Sequence, residues 1–99
     1  MSQFDVYQQK GRTILLLDCQ NDYLDHLTTR FVIPLIPMGR KPPSASRLNP
    51  ILAVDGIDYV LTPNAAATIT VAHMGKRIGS LAIEQDVIKA AIDQLVTGF

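Results

Sequence analysis

The sequence predicts one small, mainly β domain that ends in a single α-helix. Short runs rich in β-branched and apolar residues alternate with turn signals over residues 1–80, which is typical of a barrel or curled sheet of antiparallel strands. Only residues 81–99 have a helical period, and one amphipathic helix needs a surface such as a sheet to pack against. Since the chain has 99 residues, we expect a single domain, residues 1–99, around one core.

The first half of the chain predicts three strands. Residues 4–6 alternate as a short strand does, and the polar residues 8–12 contain a glycine and predict a turn. Residues 13–18 form a continuous apolar run that favours a strand buried on both faces. Residues 31–36 predict the next strand. Because Pro34 has no N–H to donate, we expect this strand at an edge of the sheet or with a bulge.

The second half predicts a loop, a hairpin and another strand. Residues 37–50 contain four prolines and predict an exposed loop. Residues 51–62 predict a hairpin, because the dipeptide at 55–56, Asp-Gly, suits a type I′ turn between two β-rich runs. Residues 67–72 alternate and are β-branched, which predicts a strand, and residues 75–79 predict a turn.

The last stretch predicts a helix over residues 82–97, with Ser80 as its N-cap. Gly98 is suited to end the helix in the left-handed conformation. The predicted buried stripe consists of residues spaced at i, i+3, i+4 and i+7, namely Ile88, Ala91, Ile92 and Leu95.

Composition limits the classes of function. The formal net charge is zero, so the chain lacks the overall basic field that nucleic-acid binding often uses. The single cysteine, Cys19, allows no internal disulfide and follows an apolar run, so we expect it buried. The sequence has no signal peptide and no apolar run of membrane-spanning length, so a cytoplasmic protein is expected. Apolar residues make up 47% of the chain, which predicts either a dimer interface or a fuller core.

The motifs of the common enzyme classes are missing: the sequence has no GxGxxG, P-loop, GxSxG or HExxH. Asp18, Asp22 and Asp25 lie close together and near His26, in a pattern that a metal site or a hydrolytic carboxylate pair would also show. Aspartates bond readily to nearby backbone N–H groups, however, so we expect them to shape the turn between two strands. The chain is therefore not expected to be an enzyme or to hold a metal or cofactor.

A basic segment lies in the middle of the chain. From residue 27 to residue 53 there is no Asp or Glu, while Arg30, Arg40, Lys41 and Arg47 are all present. The proline-rich part is either a solvated loop or a docking site for an acidic peptide or nucleic acid, with Arg47 as the best candidate for bidentate pairing.

Several strings, in order along the whole chain, resemble the CcdB toxin family. Residues 17–25, Leu-Asp-Cys-Gln-Asn-Asp-Tyr-Leu-Asp, are similar to that family's pattern of an apolar residue, Asp, any residue, Gln, a small polar residue, Asp, two apolar residues and Asp. Residues 30–35, Arg-Phe-Val-Ile-Pro-Leu, look like its Arg-x-Val-Ile-Pro-Leu strand. The Asn-Pro at 49–50, the turn at 55–58 with Tyr59, the string Ile-Lys-x-Ala-Ile-Asp at 88–93, and a final glycine and apolar residue continue the match.

The resemblance implies an SH3-like barrel with a C-terminal helix and a homodimeric toxin of a type II toxin–antitoxin system. Such toxins bind the A subunit of DNA gyrase, a topoisomerase II, and trap the cleaved-DNA complex, which inhibits replication. A cognate CcdA-like antitoxin neutralises them by folding a disordered segment onto the toxin dimer. The family implies contact with operator DNA only together with the antitoxin, and no membrane partner.

Carried over by position, the resemblance assigns a gyrase-binding surface to Tyr23, Leu24, Asp93, Thr97, Gly98 and Phe99. It places Arg47, with Arg40 and Lys41 of the same loop, at the antitoxin. Three positions depart from the best-known members: Thr97 stands in place of a tryptophan, Asp93 in place of an asparagine, and Tyr23 in place of an aliphatic residue. Thr97 keeps open a dimer that binds antitoxin without poisoning gyrase. A ribonuclease toxin stays open as well, because related barrel folds include toxins that cut mRNA.

Overall fold

The computed structural model describes residues 1–40 and 46–98. Within that part of the chain there are seven strands and one α-helix: β1 (Asp5–Gln8), β2 (Leu15–Asp18), β3 (Thr29–Pro37), β4 (Ile51–Val54), β5 (Ile57–Leu61), β6 (Ala67–Thr70), β7 (Lys76–Ser80) and α1 (Gln85–Thr97). Short 3-10 helices lie at Asp22–Leu24, Met38–Arg40, Pro63–Ala65, Val71–His73 and Ala82–Glu84. The predicted mainly β fold with one C-terminal helix is confirmed.

All seven strands form one antiparallel sheet. The order across the sheet is β4-β5-β3-β2-β1-β7, and β6 pairs with β3 beside β5. This path begins at β4 and ends at β7, and the sheet is curled into a half-barrel. The first strand of the chain therefore lies beside the last, with Asp5 opposite Ser80 and Gln8 opposite Lys76.

The long strand β3 is central, so of the two alternatives predicted at Pro34, an edge strand or a bulge, the edge strand is wrong. One side of β3 pairs with β2, while the other pairs with β6 in its first half and β5 in its second half. The Pro34 carbonyl accepts hydrogen bonds from the Thr62 N–H at 3.1 Å and the Thr62 hydroxyl at 2.9 Å. The N–H and C=O of a strand residue point to the same side. The side on which Pro34 lacks an N–H donor therefore faces Thr62, where the backbone leaves β5 for the 3-10 helix Pro63–Ala65.

The β4–β5 hairpin forms as predicted. Asp55 has φ 52° and Gly56 has φ 78°, the two positive values that a type I′ turn requires. Val54 and Ile57 are paired on either side of this turn.

The strand β7 was missed, because residues 75–79 predicted a turn. Gly75 does turn the chain, at φ 84°, but Lys76 already pairs with Gln8 of β1. The β1–β7 register shifts between Val6 and Tyr7, where one extra residue of β7 makes a bulge. At the other end of β1, Phe4 has φ 71° and precedes the strand, so the predicted strand at 4–6 begins one residue later.

The helix α1 covers the concave core of the sheet. Ile88 and Ala91 are fully buried there, and Ile92 packs partly against the same cluster. The fourth residue of the predicted stripe, Leu95, is instead 45% exposed. Ser80 does not cap α1 directly: its hydroxyl accepts a 3.2 Å bond from the Ala82 N–H and starts the 3-10 helix that leads into α1. Neither α1 nor any other helix in the described residues is long and apolar enough to cross a bilayer.

Candidate functional site

The turn that carries Tyr23 and Leu24 is held by several hydrogen bonds. The Asn21 side-chain oxygen accepts a 2.8 Å bond from the Tyr23 N–H, and the Asn21 carbonyl accepts a 2.9 Å bond from the Leu24 N–H. Asp22 anchors the turn to the chain start, because its Oδ1 accepts a 2.7 Å bond from the Gln3 N–H. The Tyr23 side chain is 90% exposed and Leu24 45% exposed. The turn therefore presents an aromatic ring and an aliphatic side chain to solvent from a braced backbone.

Gln20 connects this turn to the sheet. It is buried, and its Nε2 donates to the carbonyls of Leu24 at 3.0 Å and Thr29 at 3.2 Å. Its Oε1 accepts a 3.0 Å bond from the Phe31 N–H. All three partners lie at the end of the turn or the start of β3, so Gln20 fixes the position of the exposed pair. The sequence contained this glutamine in its family-like string, but nothing in the pattern indicated its bonds.

Behind the turn lies a buried ion pair that sequence reasoning also missed. Arg30 Nε donates a 2.9 Å hydrogen bond to Asp18 Oδ2, and Arg30 Nη2 lies 2.7 Å from the same oxygen. The two side chains are 1% and 0% exposed. Nη2 makes an ion contact whose angle is not that of a hydrogen bond, and Nη1 has no partner among the described residues. Arg30, one of the four cations counted in the basic segment, is thus buried and adds no positive charge to the surface.

The three aspartates have three different roles. Asp18 holds Arg30, and its Oδ1 also accepts a 3.1 Å bond from the Gln20 N–H, as the turn-shaping expectation proposed. Asp22 binds the chain start, and Asp25 ends the 3-10 helix with its backbone N–H on the Asp22 carbonyl. In the described part of the chain, no group of three His, Cys, Asp or Glu residues is placed to hold a metal ion.

The exposed end of α1 carries the second group of predicted site residues. Asp93, Thr97 and Gly98 are all exposed, and the Thr97 hydroxyl donates a 2.8 Å bond back to the Asp93 carbonyl. Gly98 ends the helix at φ 81°, in the left-handed conformation that was predicted. Beside them, Val96 is 73% exposed. Phe99 lies outside the described residues.

Within one chain, the structure connects the Tyr23 turn to the start of α1. Asp22 binds Gln3, and the neighbouring Phe4 carbonyl accepts a 2.7 Å bond from the Leu81 N–H, shortly before the helix. A helix of 13 residues is about 20 Å long. Among the described residues, no hydrogen bond joins the turn to residues 93–98. A single surface shared by the two groups therefore stays a prediction.

The loop predicted to meet the antitoxin is described only in part. Lys41 and the side chain of Arg40 lie outside the described residues. Arg47 is exposed on a turn in which the Ser46 hydroxyl accepts a 3.0 Å bond from the Asn49 N–H. Asn49 Nδ2 then donates a 3.1 Å bond to the Leu61 carbonyl, which holds this end of the loop against β5.

Comparison with known families identifies the family of the chain. The family model described as CcdB protein matches residues 3–98, which includes every element of the fold. No curated protein matches the chain. Since the matched region is nearly the whole sequence, the chain belongs to the CcdB family, whose members are toxins of toxin–antitoxin modules.

Proposed function

We propose that this chain is a type II toxin that binds the A subunit of DNA gyrase, traps the cleaved-DNA complex and is neutralised by a cognate CcdA-like antitoxin. The observation that carries the proposal is the match to the CcdB family over residues 3–98. The exposed Tyr23 on its braced turn supports it, because aromatic side chains on rigid backbone are frequent binding hot spots.

The proposed mechanism is binding and not catalysis. A toxin that prefers the cleaved-DNA state of gyrase stabilises that state by its difference in affinity between the states of the enzyme cycle. Such a role needs a complementary surface, with no nucleophile or general base. Tyr23 with Leu24 and the α1 end with Asp93, Thr97 and Gly98 are the proposed contacts, together with Phe99. A homodimer would present each group twice.

The gyrase proposal is tested with purified full-length chain, cognate gyrase and plasmid DNA. We expect gyrase-dependent cleaved DNA at micromolar toxin. Tyr23→Ala should raise the toxin concentration required by at least about tenfold, since truncation of a hot-spot aromatic costs about 2 kcal/mol or more and about 1.4 kcal/mol is a factor of ten. The thermal midpoint should stay unchanged, because the removed ring is 90% exposed.

The matched control is Ile57→Ala, which truncates a different apolar side chain that is 56% exposed, on β5. It should leave cleavage unchanged. Absence of cleaved DNA with the wild-type chain would exclude gyrase poisoning. Degradation of RNA by the same preparation would favour the ribonuclease alternative.

A binding-only toxin is the second candidate, and Thr97 is the residue that favours it. Its side chain is small, so it offers a gyrase surface far less contact area than an aromatic ring, and its hydroxyl is already bonded to the Asp93 carbonyl. This candidate predicts antitoxin binding that Arg47→Ala weakens, together with no gyrase-dependent cleavage. Expression without antitoxin separates the two candidates, because only the gyrase poison stops growth.

A further inference from the structure

A cleft whose charged residues are all positive lies at the end of the sheet where β1 is connected to β2. Its volume is about 450 Å³, and it is lined by Gln8, Gln9, Lys10, Gly11, Arg12, Gly75 and Lys76. Three of these residues are cationic and none is acidic. None of the residues assigned to gyrase or antitoxin lines it.

The cations of this cleft are available to a ligand. Lys10, Arg12 and Lys76 are exposed, and within residues 1–40 and 46–98 none of them forms an ion pair. The nearby Asp5 does not neutralise them, because it is 6% exposed and its Oδ2 holds Arg77 at 3.1 Å. Like charges gathered in a cleft focus the electrostatic potential there, which favours an anion even on a chain of zero net charge.

The cleft is also preformed. Gln8 Nε2 donates a 3.0 Å bond to the Arg12 carbonyl across the β1–β2 turn. Gln9 Nε2 donates a 2.7 Å bond to the His73 carbonyl, which ties this turn to the segment before β7. Gly75 lies so close to the backbone of Gln8 that a Cβ at this position would clash with the Gln8 carbonyl oxygen. The backbone of the site therefore loses little conformational entropy when a ligand binds.

Size and charge together indicate the class of ligand. The volume lies in the usual range for small-molecule sites, about 300–1,000 Å³. Arginine pairs with phosphate through two parallel N–H bonds, and lysine binds it as a point charge. The zero net charge argues against long stretches of nucleic acid, which need many cations along a surface.

We propose that the cleft between the β1–β2 turn and the Gly75–Lys76 turn binds a phosphorylated small molecule of nucleotide size, with Lys10, Arg12 and Lys76 holding its phosphate groups. This site is independent of the proposed gyrase and antitoxin contacts.

The test is isothermal titration calorimetry of the full chain with ADP, inorganic phosphate and adenosine. The buffer contains about 0.15 M NaCl, which screens long-range attraction between exposed charges. We expect ADP to bind, inorganic phosphate to bind more weakly, and adenosine not to bind. Lys10→Gln and Lys76→Gln should each weaken ADP binding by about fivefold, the upper end for one exposed ion pair. Lys89→Gln on α1 removes the same charge elsewhere and should leave the affinity unchanged.

Three results would overturn the proposal. One is no heat with ADP at millimolar concentration, and another is equal weakening by Lys89→Gln and the two cleft variants. The third is tighter binding of a short DNA duplex than of ADP with the same dependence on Lys10 and Lys76, which would identify a nucleic-acid contact in place of a small-molecule site. Circular dichroism of each variant verifies that the sheet is intact.

Discussion

At the residue scale, the Asp18–Arg30 pair is the most demanding feature of the interior. Both side chains are almost completely buried, and Arg30 depends on this one carboxylate. Removing one partner leaves an uncompensated charge, so we expect Asp18→Asn to lower the free energy of unfolding by about 3–5 kcal/mol. Urea denaturation monitored by circular dichroism measures the loss.

The double variant Asp18→Asn, Arg30→Met is the control for this interpretation. It removes both charges, so its cost should be smaller than that of Asp18→Asn alone or of the summed single variants. A double variant as unstable as that sum would show that the side-chain shapes matter, and not the charges.

Burial also controls the chemistry of Cys19. Desolvation, with a smaller contribution from the Asp18 charge, raises the pKa of its thiol from 9.0 to about 12. The folded state thus keeps the proton when the unfolded state loses it. Stability from this group is complete below pH 9 and is lost as the pH rises from about 9 to about 12.

We therefore expect the wild-type free energy of unfolding to fall by about 1 kcal/mol more than that of Cys19→Ala between pH 8 and pH 10. Parallel urea titrations of the two proteins give this difference. The thiol of the folded wild type should also resist labelling at pH 8, since only the thiolate reacts. Equal pH dependence in the two proteins would contradict the raised pKa.

At this scale, the sequence predicted burial and the helix end better than it predicted ion pairs. The burial of Cys19 and the left-handed Gly98 were predicted and are confirmed, because apolar context and helix ends are local signals. The Asp18–Arg30 pair was not predicted. It forms across β2 and β3, whose register sets Asp18 opposite Val32, and no local pattern gives that register.

At the element scale, α1 divides into a buried half and an exposed half. Ile88 is fully buried and Leu95 is 45% exposed, although both belonged to the predicted stripe. We expect Ile88→Ala to cost about 2–4 kcal/mol and Leu95→Ala less than about 1 kcal/mol, because little of the second side chain leaves water on folding. Thermal unfolding at one protein concentration compares them, and equal costs would place Leu95 in a buried interface.

Two elements show why the sheet was only partly predictable. Residues 75–79 contain two glycines, which outweigh β propensity, yet β7 forms because it has β1 as a partner. Pro34 predicted an edge strand or a bulge, yet β3 is central. Pro34 is tolerated there because β5 ends opposite it, so no ladder hydrogen bond from a Pro34 N–H is needed. In both cases a strand distant in sequence decided the outcome, and local sequence patterns do not show which distant strands will pair.

At the scale of the whole molecule, the family's homodimer is the prediction that stability measurements can test. The α1 end leaves Val96 73% exposed, an apolar surface that a second copy would cover. For an obligate dimer, raising the protein concentration tenfold stabilises the folded state by about 1.4 kcal/mol per dimer. We expect the urea midpoint to rise accordingly with concentration.

Val96→Asp should abolish this concentration dependence if the two α1 ends meet, since it buries a charge in the interface. Ile57→Asp adds the same charge to another exposed apolar position and should leave the dependence intact. A midpoint that does not change with wild-type concentration would mean that the chain folds as a monomer.

The pairing of β1 with β7 has a consequence for how the protein is made. Asp5 and Gln8 find their partners only at Ser80 and Lys76, near the other end of the sheet's sequence. While the ribosome is still translating, β1 can pair with β2 but keeps one open edge, and the core lacks the helix that covers it. Long-range strand pairing is slow to form. A nascent chain therefore stays without its finished fold until residues 76–97 emerge, and the helix end proposed to contact gyrase emerges only after all seven strands.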